Sequence, residues 1–354
     1  MHPADRLVEH IETTGSIACV GLDPRPGLLP DQLVADALAE HGPTHAAVAA
    51  AFTRFNLGLI AALGDRCAAF KPQVACYEAY GAEGWAALAA TVAACNEARV
   101  PVVADAKRND IGSTAAHYGE AYFDGPVGLD GGRLGGLGAD WLTVNGYLGR
   151  DGVDPILEGS IDRSGGVFVL VRTSNPSSQE VQRPAQPDSP AEPDRPTQSD
   201  SPAQPDSPAQ PDRPTQSDRP TRSAPSGTAD VMAELVAEWG RARLGNSGMS
   251  SVGAVVGATH PTEAATLRQR MPDTMFLVPG FGAQGASADD AVAGARRAKG
   301  SAPTVAGAGI IVNSSRGIIG AGRAEGRSDW VGAASEALDE MNAALGAAVA
   351  RIRA

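Results

Sequence analysis

The segment VVADAKRNDIGSTA at residues 102–115 places Asp105, Lys107 and Asp110 in close succession directly after an apolar run. Side chains two apart on an extended strand share a face, so if the strand continues past Asp105, Asp105 and Lys107 point the same way, a carboxylate beside an ammonium. On a surface such a pair is worth under about 1 kcal/mol. At the end of a buried strand it can instead stabilise developing charge or pass a proton. Asp110 falls beyond the strand, where its ordinary role would be to cap the next helix. Other apolar runs end in the same way. One stops at Asp23, one at Lys71 and one at Arg172-Thr173-Ser174; later runs lead into the loops 279–285, containing Gln284, and 313–317, containing Arg316. Singly, these residues could be turn formers or caps. Together they ask for a scaffold that brings many strand ends to one face.

The pattern of the chain supplies one. Short β-branched runs at 17–23, 67–71, 100–105, 141–145, 167–171, 252–257, 275–279 and 309–312 alternate with alanine-rich helical stretches. Those stretches lie at 45–63, 84–98, 229–243, 261–271, 287–299 and 329–353. Strands each followed by a helix predict parallel βα units, and eight of them favour a closed single (β/α)8 TIM barrel over an open sheet. In that fold the polar strand ends gather at the C-terminal mouth, where barrels keep their active sites.

Residues 183–227 break the pattern. From Arg183 to Ser226 the sequence holds 12 of the chain's 26 prolines and only alanine as an apolar type, so little burial could offset the entropy of ordering it. QPDSPAEPDRPTQSD at 186–200 returns at 204–218 with one change, Glu192 against Gln210. A unit with no hydrophobic face cannot stack as a solenoid, so the expectation is a disordered Pro-rich insertion after strand five. It divides the barrel into residues 1–182 and 228–354.

Composition narrows the function classes. The chain has 354 residues, 43% hydrophobic and 20% charged, enough to bury a large core. A net charge of −12 argues against a general nucleic-acid or anionic-membrane binder, so any anionic ligand must be held by a few placed cations. No uninterrupted apolar run of spanning length and no signal-peptide pattern at Met1-His2-Pro3-Ala4-Asp5 is present, which predicts a cytoplasmic protein. Cys19, Cys67, Cys76 and Cys95 fall at no metal-ligand spacing and read as reduced thiols, mostly buried.

The 102–115 stretch resembles the Asp-x-Lys-x-x-Asp-Ile signature, with a nearby Thr, of the orotidine 5′-monophosphate decarboxylases. Phe70-Lys71-Pro72-Gln73, with Tyr77-Glu78 and Gly81, is similar to the strand-two segment of the longer bacterial branch of that family. Arg172–Pro176, 279–285 and 313–317 resemble its later loops, and the likeness spans the chain apart from the Pro-rich segment. The resemblance implies a cofactor-free and metal-free enzyme acting on a nucleotide. It implies that Lys71, Asp105, Lys107 and Asp110 form a charge network, with Asp110 and Ile111 given by the partner subunit of a homodimer. Asp23 and Thr114 would hold the ribose, Ser174 the pyrimidine, and Gln284 and Arg316 the phosphate. Two rivals stand beside it. One is a metal-dependent phosphosugar enzyme on the same barrel, which would have an acidic ligand where Lys71 stands. The other is an interaction protein working through its PxxP-like segment.

Overall fold

Eight strands carry the site: β1 (Ala18–Leu22), β2 (Ala69–Pro72), β3 (Val103–Arg108), β4 (Trp141–Val144), β5 (Gly166–Arg172), β6 (Ser250–Val256), β7 (Thr274–Val278) and β8 (Ile310–Ser314). A computed structural model describes residues 1–159, 165–183, 227–282, 285–296 and 305–353. All seven ladders are parallel and run in the order β2-β1-β8-β7-β6-β5-β4-β3. The ends of that order meet through parallel bridges Phe70↔Val102 and Gln73↔Asp105, closing a (β/α)8 barrel. The strand residues are almost wholly buried because helices cover the outside and side chains fill the inside.

The helices follow from the alanine-rich stretches. His45–Leu63 buries Phe52, Phe55, Leu59, Ile60 and Leu63. It is the one described helix long and apolar enough to cross a membrane. Here it is a wall of the barrel, and Asn56 near its middle donates to Tyr77 Oη (2.8 Å) and Thr91 Oγ1 (2.9 Å) of neighbouring elements. Thr228–Gly240, Pro261–Arg270 and Trp330–Arg353 match their expected stretches closely, while Gly81–Glu97 starts three residues early. The face away from the strand C-termini is closed by Pro3–Thr14, where Asp5 accepts the N–H groups of Asn246 (2.9 Å) and Ser247 (2.7 Å). On the same face the buried Arg268 donates to the carbonyls of Gly294, Met271, Thr274 and Gly309 and lies over the Phe276 ring.

Three expectations need correction. β3 runs on to Arg108 rather than stopping at Asp105, because Lys107 and Arg108 find partners on β4 and just after it: Lys107 N–H donates to Thr143 Oγ1, and Asn145 N–H donates to the Arg108 carbonyl. Of the helix expected over 287–299, the described residues form the short Ala288–Val292, opened by a Ser287–Asp290 capping box, after which Arg296 N–H turns to the Ala308 carbonyl; 297–299 lie outside the described residues. Arg183 and Gly227 belong to the barrel, not to the insertion: Arg183 is ion-paired to Asp230 and Glu263. The rest of the expected insertion, 184–226, lies outside the described residues, as does Gln284.

Candidate active site

The C-terminal ends of the strands enclose one cavity of about 620 Å³. Asp23 follows β1, Lys71 lies in β2, and Asp105 and Lys107 lie in β3; Ser174 follows β5 and Arg316 follows β8, and all six line it. Arg172, also named at the end of strand five, does not. It is buried and donates to Glu263, Ser178 and Gln182, a structural anchor behind the wall.

Asp105 is the hub. Its Oδ2 accepts from Lys71 Nζ (2.9 Å) and Gln73 Nε2 (2.9 Å), and its Oδ1 from Lys107 Nζ (2.6 Å) and Thr143 Oγ1 (2.8 Å). Burial alone would raise this carboxyl, but the Lys71 and Lys107 ammonium groups outweigh it and hold Asp105 well below the usual carboxylate range. Burial would likewise lower Lys71; the carboxylates of Asp105 and Asp23 outweigh it and keep Lys71 protonated above the usual lysine range. Asp23 Oδ1 sits 3.9 Å from Lys71 Nζ, buried and without a hydrogen bond among the described residues. Charges therefore alternate from Asp23 through Lys71 and Asp105 to Lys107.

Asp105 and Lys107 do share the mouth of the barrel, but not on a regular pleat. Lys107 takes φ +50°, a left-handed conformation rare for a side-chain-bearing residue, and the β3–β4 register shifts between Ala104 and Arg108. Thr143 makes this turn possible by accepting the Lys107 N–H (2.9 Å) while donating to Asp105. Arg108 anchors the next position, its guanidinium paired with Glu78 and bonded to Tyr122 Oη.

The phosphate-side candidates hang on close backbone packing. A side chain on Gly21 of β1 would lie 1.9 Å from Ser315 Oγ, so only glycine lets the loop carrying Arg316 sit against β1. Asn313 Nδ2 pins the same strand end by donating to the Cys19 carbonyl (3.0 Å). Gly280, Gly282 and Gly285 all have positive φ, which curls the loop after β7 back so that Gly280 and Phe281 line the cavity. Burial pushes the Cys19 thiol up to about 12, so it is neutral filling rather than a nucleophile.

Asp110, Ile111 and Thr114 stand apart from this cavity. Asp110 is half-buried and, among the described residues, accepts only the neighbouring Ile111 N–H (2.8 Å); the helix Gly112–Tyr122 that follows has no side-chain cap from them. Ile111 is 53% exposed and Thr114 is exposed. Thr173, named with Ser174 at the end of strand five, lines the cavity too, whereas Gln73, Thr143, Asn175, Gln182 and Arg25 were given no role by sequence reasoning and line it as well. Thr143 had one signal, a lone hydroxyl within the apolar run Trp-Leu-Thr-Val, the ordinary look of a core threonine.

In sign, the lining sets four cations, Arg25, Lys71, Lys107 and Arg316, against two carboxylates, Asp23 and Asp105. On a chain of net charge −12 this is a local concentration of positive charge suited to a polyanionic small molecule.

Comparison with known proteins agrees on the lineage. The model of the orotidine 5′-phosphate decarboxylase / HUMPS family matches residues 18–192. An orotidine 5′-phosphate decarboxylase of Rhodopirellula baltica is 38% identical over 349 residues, 97% of this chain and 98% of that protein. One from Haloarcula marismortui is 36% identical over 91% of this chain and 88% of its own length. The solved OMP decarboxylase of Leishmania donovani superposes with a TM-score of 0.62 at 29% identity, covering 98% of this chain and 99% of that one. A barrel of this topology, a charge-alternating strand-three motif at its mouth and relatedness along nearly the whole chain place this protein in the orotidine 5′-phosphate decarboxylase family.

Proposed function

We propose that the protein is a carboxy-lyase that converts orotidine 5′-monophosphate to uridine 5′-monophosphate and CO2, the closing step of pyrimidine nucleotide synthesis. The observation that carries the reading is Asp105 held between Lys71 and Lys107 in a cavity whose lining is net positive.

Breaking the bond from C6 to the carboxylate leaves the electron pair on C6, with no adjacent carbonyl to absorb it. The site must therefore stabilise the carbanion by charge already in place. Lys107 is the group for this. Its side chain is half-exposed to the cavity, its ammonium is oriented by Asp105, and it can then give a proton to C6 and recover one from solvent. Asp105 would face the departing carboxylate, and their repulsion falls as neutral CO2 forms. Lys71 and Thr143 keep Asp105 ionised and fixed. Asp23 Oδ1, a buried acceptor without a donor, suits a ribose hydroxyl. Ser174 faces the base, and Arg316 with Gln284 takes the phosphate, as barrels do at the loops after strands seven and eight. The chemistry calls on no metal or organic cofactor, and Lys71 between the two carboxylates would repel a divalent cation.

The position of Asp110, half-buried, and of Ile111 and Thr114, exposed, all outside their own chain's cavity, supports a homodimer in which each chain lends these residues to its partner's site. The test is to incubate the purified protein with orotidine monophosphate and a chelator and follow loss of the orotate chromophore. Undiminished turnover is expected. Turnover only after adding a divalent cation would favour the phosphosugar-type alternative.

A further inference from the structure

The chain leaves the barrel for the Pro-rich segment at Arg183 and returns at Gly227, and the two points touch. A side chain on Gly227 would lie 3.0 Å from the Gln182 carbonyl and 3.1 Å from Arg183 Nη1. Arg183 binds Asp230, a buried residue of the returning helix, with both Nη atoms (2.8 and 3.0 Å), and its Nε donates to Glu263 Oε2 (2.7 Å). Glu263 in turn holds Arg172 at the end of β5 (3.0 and 3.2 Å). Three helical segments and one strand are thus tied at the root of the segment by bidentate, charge-assisted bonds.

Gln182, one residue before that tie, reaches into the cavity wall. Its Oε1 accepts the Thr173 backbone N–H (2.9 Å) and Arg172 Nη1 (3.3 Å), and its Nε2 donates to Thr173 Oγ1 (2.8 Å). Thr173 Oγ1 passes the chain on to Asn175 Oδ1 (2.6 Å). The residue enclosed by these bonds is Ser174, packed from below on Gly257, where any side chain would come within 3.0 Å of Ser174 Cβ. Loop residues 173–175 all line the cavity, and Gln182 is bonded to Thr173 on both its backbone and its side chain.

We propose that Gln182 is a positioning residue that sets the orientation of the Thr173–Asn175 loop toward the substrate base, and that Arg183 with Asp230 and Glu263 is the clasp that keeps Gln182 there. The inference rests on the orotidine-monophosphate reading for the identity of the base. A residue that orients a contact made equally before and during reaction acts on KM and leaves kcat alone. The clasp also makes the site independent of the segment it bounds: what the loop needs ends at Arg183 and resumes at Gly227.

The experiment compares Gln182→Met, Arg183→Met and the double variant with the parent for kcat, KM, affinity for uridine monophosphate and Tm. Gln182→Met keeps the length and removes the bonds, so KM and the uridine monophosphate Kd should both rise about tenfold, the scale of one or two lost hydrogen bonds, with kcat within about twofold. Arg183→Met should raise KM in the same direction, and the double variant should match the worse single one, since both act through one lever. Replacing 184–226 by two glycines should leave kcat and KM as in the parent, while extending the deletion to Arg183 should reproduce Arg183→Met. Unchanged KM in both single variants overturns the proposal, whether or not Tm falls, because a purely structural tie would move Tm alone. Additive effects in the double variant overturn the clasp. Failure of the parent to turn over orotidine monophosphate would refute the functional reading instead. Hydrogen exchange at the Thr173 amide, expected to quicken in Gln182→Met, reads the loop without any substrate.

Discussion

Lys71→Met is the most direct probe of the charge network, because the side chain keeps its length and loses only its charge. Lys71 is 4% exposed, and its Nζ is 2.9 Å from Asp105 Oδ2. Removing one partner of a buried pair costs about 3–5 kcal/mol. Asp105 would still accept from Lys107, Gln73 and Thr143, which favours the lower end, about 3 kcal/mol at pH 7. At about 2 °C per kcal/mol for a domain of this size, Tm should fall by about 6 °C. The pH dependence gives the sign. The Asp105 carboxyl is depressed in the folded parent, so its contribution is present above the unfolded value of about 3.9 and is lost as pH falls. Without Lys71, burial is less opposed and the variant takes up a proton at higher pH. The stability gap between variant and parent should therefore narrow as pH is lowered from about 7 toward 4. Adding Asp105→Asn removes both charges and should recover most of the loss. Denaturant unfolding of the three proteins at both pH values measures this. A gap that is the same at both, or below about 1 kcal/mol at pH 7, would mean that the pair is effectively solvated and that Asp105 is not held by it.

Thr143→Val removes a donor to Asp105 and the acceptor of the Lys107 N–H, and should lower kcat about 10- to 100-fold with KM little changed, as steady-state kinetics would show. Arg316→Ala should mainly raise KM and weaken uridine monophosphate binding if, as proposed, it grips the phosphate, a group that does not react; unchanged affinity would remove that role. Lys107→Ala should lower turnover on the order of 10³-fold or more. Mixed with an inactive Asp110→Asn chain under subunit exchange, it should recover about a quarter of parental activity. Half the dimers are then mixed, and in each of these one site collects both lesions and the other none. No recovery would mean that Asp110 serves its own chain.

The strand ends were legible in the sequence because a parallel barrel imposes a simple rule: buried runs stop where the mouth begins, and polar residues stand there. Asp23, Lys71, Asp105, Lys107, Ser174 and Arg316 obey it and meet in one cavity. Arg172 follows the same rule, yet its guanidinium points to Glu263, a partner far along the chain that no local pattern reveals. The strand-three bulge was equally hidden. Whether Lys107 continues a pleat or turns left-handed depends on a hydroxyl of the neighbouring strand, and Thr143 alone reads as ordinary core.

Residue types and their period determined that this chain is a (β/α)8 barrel with the Asp105 and Lys107 pair at its mouth, since both follow from local alternation and from charges placed beside apolar runs. Tertiary structure decided which of those polar residues face the cavity and which serve as anchors. It also drew the edge of the insertion inside Arg183 and Gly227, where composition had drawn it outside them. The reason is one of range: composition averages over a window, whereas Arg183 owes its place to Asp230 and Glu263, which only folding brings beside it.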